Sequence, residues 1–125
     1  MGPPAIQYFS VSKPREYVAH VEINRPEKLN AFIDAMWLEM KAVFSQLSGD
    51  PSVRAIVFSG AGEKAFSTGL DLKAASQEGS MFIPRPQDIP DAARHGFAVR
   101  KWIINIQDCV SSIERCEKRK VSANL

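Results

Sequence analysis

The feature that most constrains the fold is the segment Val53-Arg54-Ala55-Ile56-Val57-Phe58-Ser59, whose centre Ala55-Ile56-Val57-Phe58 is uninterrupted apolar sequence. Ahead of it, Asp34 to Leu47 carries Met36, Met40, Val43, Phe44 and Leu47 at helical spacing, and Gly49-Asp50-Pro51 stops that pattern. An apolar strand arriving straight after an amphipathic helix predicts a parallel sheet covered on both faces. Further upstream, Val18 to Asn24 alternates, with Ala19, Val21 and Ile23 on one side and His20 and Glu22 on the other. That is a strand with one buried face, and His20 is expected on its solvent side. Arg25-Pro26 ends it, because proline donates no ladder hydrogen bond and restricts the residue before it. Met36 and Met40 read as core filling rather than as a ligand pair.

The rest of the chain is punctuated differently. Residues before Val18 read as an extended leader. Gln77 to Asp91 reads as a loop, since Pro84, Pro86 and Pro90 block regular structure. From Ala92 to Cys116, Val99, Trp102, Ile103, Ile106, Cys109, Val110 and Ile113 recur three or four apart, predicting one long helix with a continuous apolar stripe. The order is therefore strand, helix, strand, glycine loop, long helix, the pattern of an α/β layer protein in a single domain.

Composition excludes several classes. At 125 residues, 45% hydrophobic and 24% charged, with seven glycines and eight prolines, the chain fits neither a disordered nor a collagen-like sequence. No apolar run approaches the roughly 18 residues of a membrane helix. Sixteen basic and fourteen acidic residues give +2, without the basic face and interleaved aromatics of a nucleic-acid binder. Cys109 and Cys116, seven apart on one helix, would stand roughly 10 Å apart, too far for a disulfide, and they are too few for a metal site. Met1 to Ile6 has no targeting character, and Ala123-Asn124-Leu125 only loosely echoes a peroxisomal signal.

Chemistry is suggested in one place. Behind the second strand runs Gly60-Ala61-Gly62-Glu63-Lys64-Ala65-Phe66-Ser67-Thr68-Gly69-Leu70-Asp71-Leu72-Lys73. A glycine turn that opens a helix leaves backbone N–H groups free, reinforced by the helix dipole, and such a corner binds a phosphate or stabilises an oxyanion. It is not a phosphate-binding P-loop, because the spacing is wrong and no Ser or Thr follows Lys64. Taken alone, the corner is equally an ordinary helix-capping turn.

Two separated motifs carry more. Asn24-Arg25-Pro26-Glu27-Lys28-Leu29-Asn30-Ala31, followed some 35 residues on by Phe66-Ser67-Thr68-Gly69-Leu70-Asp71-Leu72, with Arg54 to Gly60 between them, resembles the enoyl-CoA hydratase/isomerase (crotonase) superfamily. Gln107 and Ile113-Glu114-Arg115-Cys116 resemble its Δ3,5-Δ2,4-dienoyl-CoA isomerase branch. The resemblance runs over residues 7 to 118 and leaves 119 to 125 as a divergent tail. It implies an incomplete, N-terminal portion of the crotonase-like ββα spiral fold.

It also implies roles. The Leu70 backbone N–H matches the first oxyanion-hole donor, which grips the thioester carbonyl of an acyl-CoA. Gly69 would let backbone approach substrate closely. Carbonyls around Ala65 and Thr68 match positions that hold the adenine of CoA. Lys28, Leu29, Leu72 and Lys73 match positions lining the CoA moiety, the two lysines either serving its phosphates or standing as solvated surface. Asp71 is expected as a helix cap rather than a catalytic acid. The implied reaction shifts double bonds of dienoyl-CoA in unsaturated fatty-acid β-oxidation, by carboxylate proton transfer next to the thioester; enoyl-CoA hydration is the alternative. No separate cofactor is implied, since coenzyme A is part of the substrate. The compartment implied is the peroxisome or mitochondrion, and the full-length family forms homotrimers or hexamers.

The resemblance breaks at Glu117-Lys118-Arg119-Lys120-Val121-Ser122-Ala123-Asn124-Leu125. There the family continues with a Pro-Lys-Pro-type turn, a buried strand and a second glycine turn. The second oxyanion donor and both catalytic carboxylates belong to that region, and no Asp or Glu of this chain takes their roles. The expectation is a truncated domain, inactive alone, whose last five residues are read through an unspliced intron. A product of that kind would be an inactive paralogue or gene-model fragment that binds CoA or full-length subunits. Its uncovered apolar faces would leave it marginally stable.

Overall fold

The computed structural model describes residues 6–77 and 91–123. Four strands lie in the order β1 (Phe9–Arg15), β2 (Tyr17–Ile23), β3 (Val53–Gly60) and β4 (Arg119–Ser122). Between β2 and β3 runs α1 (Asp34–Ser48); between β3 and β4 run the one-turn α2 (Leu72–Ala75) and the long α3 (Ala92–Arg115). β1 pairs antiparallel with β2, whereas β2–β3 and β3–β4 are parallel. The parallel pairings follow from the helical crossovers, which return the chain to the same end of the sheet.

The alternation in β2 does what its period requires: Ala19, Val21 and Ile23 are fully buried and their neighbours are not. They meet Met36, Met40, Val43, Phe44 and Leu47 of α1 and Val53, Ile56 and Phe58 of β3 in one core, where the Phe44 and Phe58 rings sit edge to face at 5.1 Å. α3 packs on α1, and there Lys41 Nζ meets Asp108 Oδ2 at 2.6 Å while Arg115 Nη2 meets Asp108 Oδ1 at 2.8 Å.

Four expectations need correction. The leader is a strand, β1, whose register with β2 shifts between Ser12 and Arg15; only its Phe9 is buried, so the hydropathy pattern does not mark it. Cover on both faces holds for one only, since Val18, His20, Ala55 and Val57 on the face away from α1 are half-buried. His20 does not simply face solvent: its Nε2 stands 2.6 Å from the Oγ of buried Ser59. The tail, expected only to diverge, is ordered against β3: β4 pairs Ala55–Phe58 with Arg119–Ser122, and the Ala123 N–H donates to the Phe58 carbonyl at 2.8 Å. The divergent tail thus supplies a strand, though a largely exposed one.

The helices match their predicted spans, but the predicted stripe of α3 is buried fully only at Cys109, while its Ile103 and Val110 stay exposed; Ser112, off that stripe, is the other buried residue of the helix. Both cysteines are free; Cys116 is also buried, at the C-cap just beyond the helix. The predicted loop over 77–91 lies outside the described residues except at its two ends, as do Met1 to Ala5 and the terminal Asn124-Leu125. No helix among the described residues is long and apolar enough to cross a membrane, and they contain no metal-binding cluster.

Candidate functional site

The segment behind β3 is fixed to the core by its aromatic residue and one close backbone contact. The Phe66 ring meets Phe58 edge to face at 5.2 Å, and the Phe66 backbone lies directly against Gly60. A second clamp comes from Asn30, which is fully buried and held at φ 58. Its Nδ2 donates to the carbonyls of Ala61, 2.8 Å, and Ala65, 3.0 Å, and its Oδ1 accepts from the Arg25 N–H at 2.9 Å. The Ser67 hydroxyl donates to the Asn30 carbonyl at 2.8 Å. Three of these four hydrogen bonds tie the loop after β2 to the loop after β3, and the fourth braces Asn30 within its own loop.

These clamps place Leu70 beside Phe32. The two form an isolated parallel bridge: the Phe32 N–H donates to the Gly69 carbonyl at 2.7 Å, and the Asp71 N–H donates to the Phe32 carbonyl at 2.9 Å. In extended backbone successive peptide groups point to opposite sides. The groups of Gly69 and Asp71 that face Phe32 therefore turn the Leu70 N–H the other way, and it meets no acceptor among the described residues. Phe32 is itself buried, its ring 4.5 Å from Trp37 and 6.1 Å from Phe9, so this free donor stands on a packed platform.

Asp71 behaves as a cap, its Oδ1 accepting from the Ala74 N–H at 3.0 Å, and its other oxygen meets Arg25 Nη1 at 2.8 Å. The Ala74 hydrogen bond and then the Arg25 guanidinium hold its carboxyl below the usual carboxylate range. The helix it caps is one turn long, so the expected reinforcement by a helix dipole is slight, and the donors here are individual N–H groups. Gly69 is called for by its backbone, φ 90, with open space beside its Cα.

Lys28, Lys73 and Asp71 come together with Arg25, Ala74 and Gln77 around a cavity of about 290 Å3, three cations against one carboxylate. Leu29, held at φ 54, and Leu72 are exposed near these residues in sequence. Thr68 Oγ1 donates to the Leu29 carbonyl at 3.4 Å. The Ala65 carbonyl is already engaged by Asn30, which leaves it one lone pair for any further donor. Arg25 and Asn30 were missed as site residues. Their signal lay in the segment Asn24 to Ala31 already singled out, but their partners are 31 to 46 residues away.

Residues 13–93 match the family model described as Enoyl-CoA hydratase/isomerase. A mitochondrial Delta(3,5)-Delta(2,4)-dienoyl-CoA isomerase of Mus musculus is 38% identical over 113 residues, 90% of this chain and 33% of that protein. A peroxisomal one from Arabidopsis thaliana is 33% identical over 106 residues, 85% of this chain and 36% of that protein. Among solved structures, an enoyl-CoA hydratase from Mycobacterium smegmatis superposes with a TM-score of 0.73 at 27% identity, covering 94% of this chain and 40% of that one. The chain spans about a third of the length of these curated relatives.

Proposed function

The chain belongs to the enoyl-CoA hydratase/isomerase (crotonase) family, with that family's α/β fold over part of its length, and on that premise we propose that it binds the thioester end of an acyl-CoA. The observation that carries this reading is the Leu70 N–H, turned away from Phe32 and without an acceptor among the described residues. A thioester carbonyl placed there would receive one of two hydrogen bonds that stabilise an enolate oxyanion, each worth roughly 3–4 kcal/mol by comparison with acyl-transfer enzymes. Lys28 and Lys73 would meet the phosphates of CoA, with Leu29 and Leu72 flanking its apolar parts. The carbonyls of Thr68 and Ala65 would take the adenine amino group. No cofactor apart from the CoA carried by the substrate is involved.

The activity that this binding serves is double-bond migration in a dienoyl-CoA, supported by the identity to two dienoyl-CoA isomerases. The second donor and the proton-transferring carboxylates would lie in the part of those relatives that this chain does not span. These 125 residues would therefore bind without turnover, and the protein they belong to would work in the mitochondrion or peroxisome, where those relatives are named. Hydration of an enoyl-CoA is the second reading, favoured by the likeness to the Mycobacterium smegmatis hydratase. The two readings share the thioester site and differ only in carboxylates.

Calorimetry with an acyl-CoA, together with an isomerase and a hydratase assay on the same sample, tests this. Binding without turnover is expected. Lys28→Ala and Lys73→Ala should each weaken it about two- to fivefold, more at low salt, as exposed charge pairs do. Failure to bind any acyl-CoA would overturn the reading.

A further inference from the structure

Arg25 lies outside the roles that the family resemblance distributes, yet its side chain is only 13% exposed and its bonds converge on the platform beneath Leu70. Its Nη1 donates to the Ala31 carbonyl at 2.9 Å and to Asp71 Oδ2 at 2.8 Å. Ala31 and Asp71 each adjoin one member of the Phe32–Leu70 bridge. A single guanidinium nitrogen thus joins both strands of that bridge beside the free N–H. The Arg25 backbone is fixed in turn, its N–H held by Asn30 and its carbonyl accepting from the N–H groups of Lys28 and Asn30 at 3.1 and 2.9 Å. Asp71 uses its second oxygen on Ala74, so the carboxylate cannot swing without losing a cap.

We infer that Arg25 is a positioning residue for thioester binding: through Asp71 and the Ala31 carbonyl it holds the Phe32–Leu70 bridge so that the Leu70 N–H faces the substrate carbonyl. The inference rests on the reading of Leu70 as a thioester donor. The bridge has only two hydrogen bonds, and its Leu70 side is only half-buried, so by itself it holds the N–H loosely, and a donor that wanders by an ångström contributes little to a carbonyl. Arg25 removes that freedom without touching the carbonyl itself. Because Arg25 also lines the cationic cavity, the test must separate aim at the carbonyl from attraction for phosphate.

Two probes do so: an eight-carbon acyl-CoA, and the matching S-alkyl-CoA thioether, which has every phosphate but no carbonyl. The wild-type chain should bind the thioester about fivefold more tightly than the thioether, the scale of one net hydrogen bond. Arg25→Gln and Asp71→Asn change the charge of the cavity and so shift affinity for both probes, but the ratio of thioester to thioether affinity should fall from about five toward one. Arg25→Lys, which keeps a charge for Asp71 but loses the planar fork, should retain part of the preference. If Arg25→Gln does not fold, Asp71→Asn and Arg25→Lys carry the same comparison. Variants that keep the full thioester preference, or that lose affinity for both probes equally, overturn the positioning role while leaving the binding reading intact. A wild-type chain without any preference overturns the reading of Leu70, and this inference with it.

Discussion

Gly60 lies so close to the Phe66 backbone that a Cβ built on it would stand 2.3 Å from the Phe66 carbonyl oxygen and 2.7 Å from the Phe66 Cα. Backbone cannot yield as a flexible side chain can. Gly60→Ala should therefore cost at least about 3 kcal/mol in urea unfolding, the range of severe overpacking. Gly69→Ala meets open space and only the strain of φ 90, so about 1–2 kcal/mol is expected there. Equal costs at the two positions would contradict this assignment.

Glu39 is buried on α1, and its Oε1 accepts from the backbone N–H groups of Gln7, 2.7 Å, and Tyr8, 2.8 Å. It fastens the start of β1 to the helix. Glu39→Ala would leave two part-buried donors unpaired, which should cost about 2–3 kcal/mol and speed hydrogen exchange at Tyr8. Glu39→Gln keeps an acceptor and should lose less.

Acid stability is set in part by Asp71 and Asp108. The Ala74 N–H and Arg25 lower the first, and Lys41 and then Arg115 lower the second. A carboxyl lowered on folding stabilises the protein at pH values above its ordinary 3.8, and that contribution disappears as pH falls through the lower folded value. Thermal melts between pH 7 and pH 2 should show Asp71→Asn and Asp108→Asn with flatter profiles below pH 4 than wild type. An unchanged slope would argue that both ion pairs are idle.

Burial pushes the Cys109 thiol up, and neither cysteine is exposed. A thiolate reagent should modify Cys109 and Cys116 in native protein only on the timescale of opening, and both promptly in denaturant. Fast native labelling of Cys109 would mean that α3 leaves α1 readily.

Much of the fold was legible because its signals are local. The alternation at Ala19, Val21 and Ile23 and the stripe from Met36 to Leu47 each state a period and a face within a few residues. The site was legible as a segment through Gly69-Leu70-Asp71, and the Asp71 cap followed from position alone. β1 was not legible as a strand, for it reads Phe-Ser-Val-Ser-Lys-Pro-Arg with one buried residue, and its Pro14, which donates no ladder bond, is tolerated where the register shifts between Ser12 and Arg15. Nor was β4, whose Arg-Lys-Val-Ser adds to the open edge of β3.

By itself, then, the sequence determined the order of β2, α1, β3 and α3, the faces that β2 and α1 bury, and the corner where backbone donors gather. Only the tertiary structure decided that Asn30 reaches Ala61 and Ala65, that Arg25 meets Asp71 across 46 positions, and that Leu70 turns its N–H away from Phe32. The reason is physical. Periodicity is set by the geometry of one element, whereas a hydrogen bond between loops depends on where several packed elements bring the chain back together.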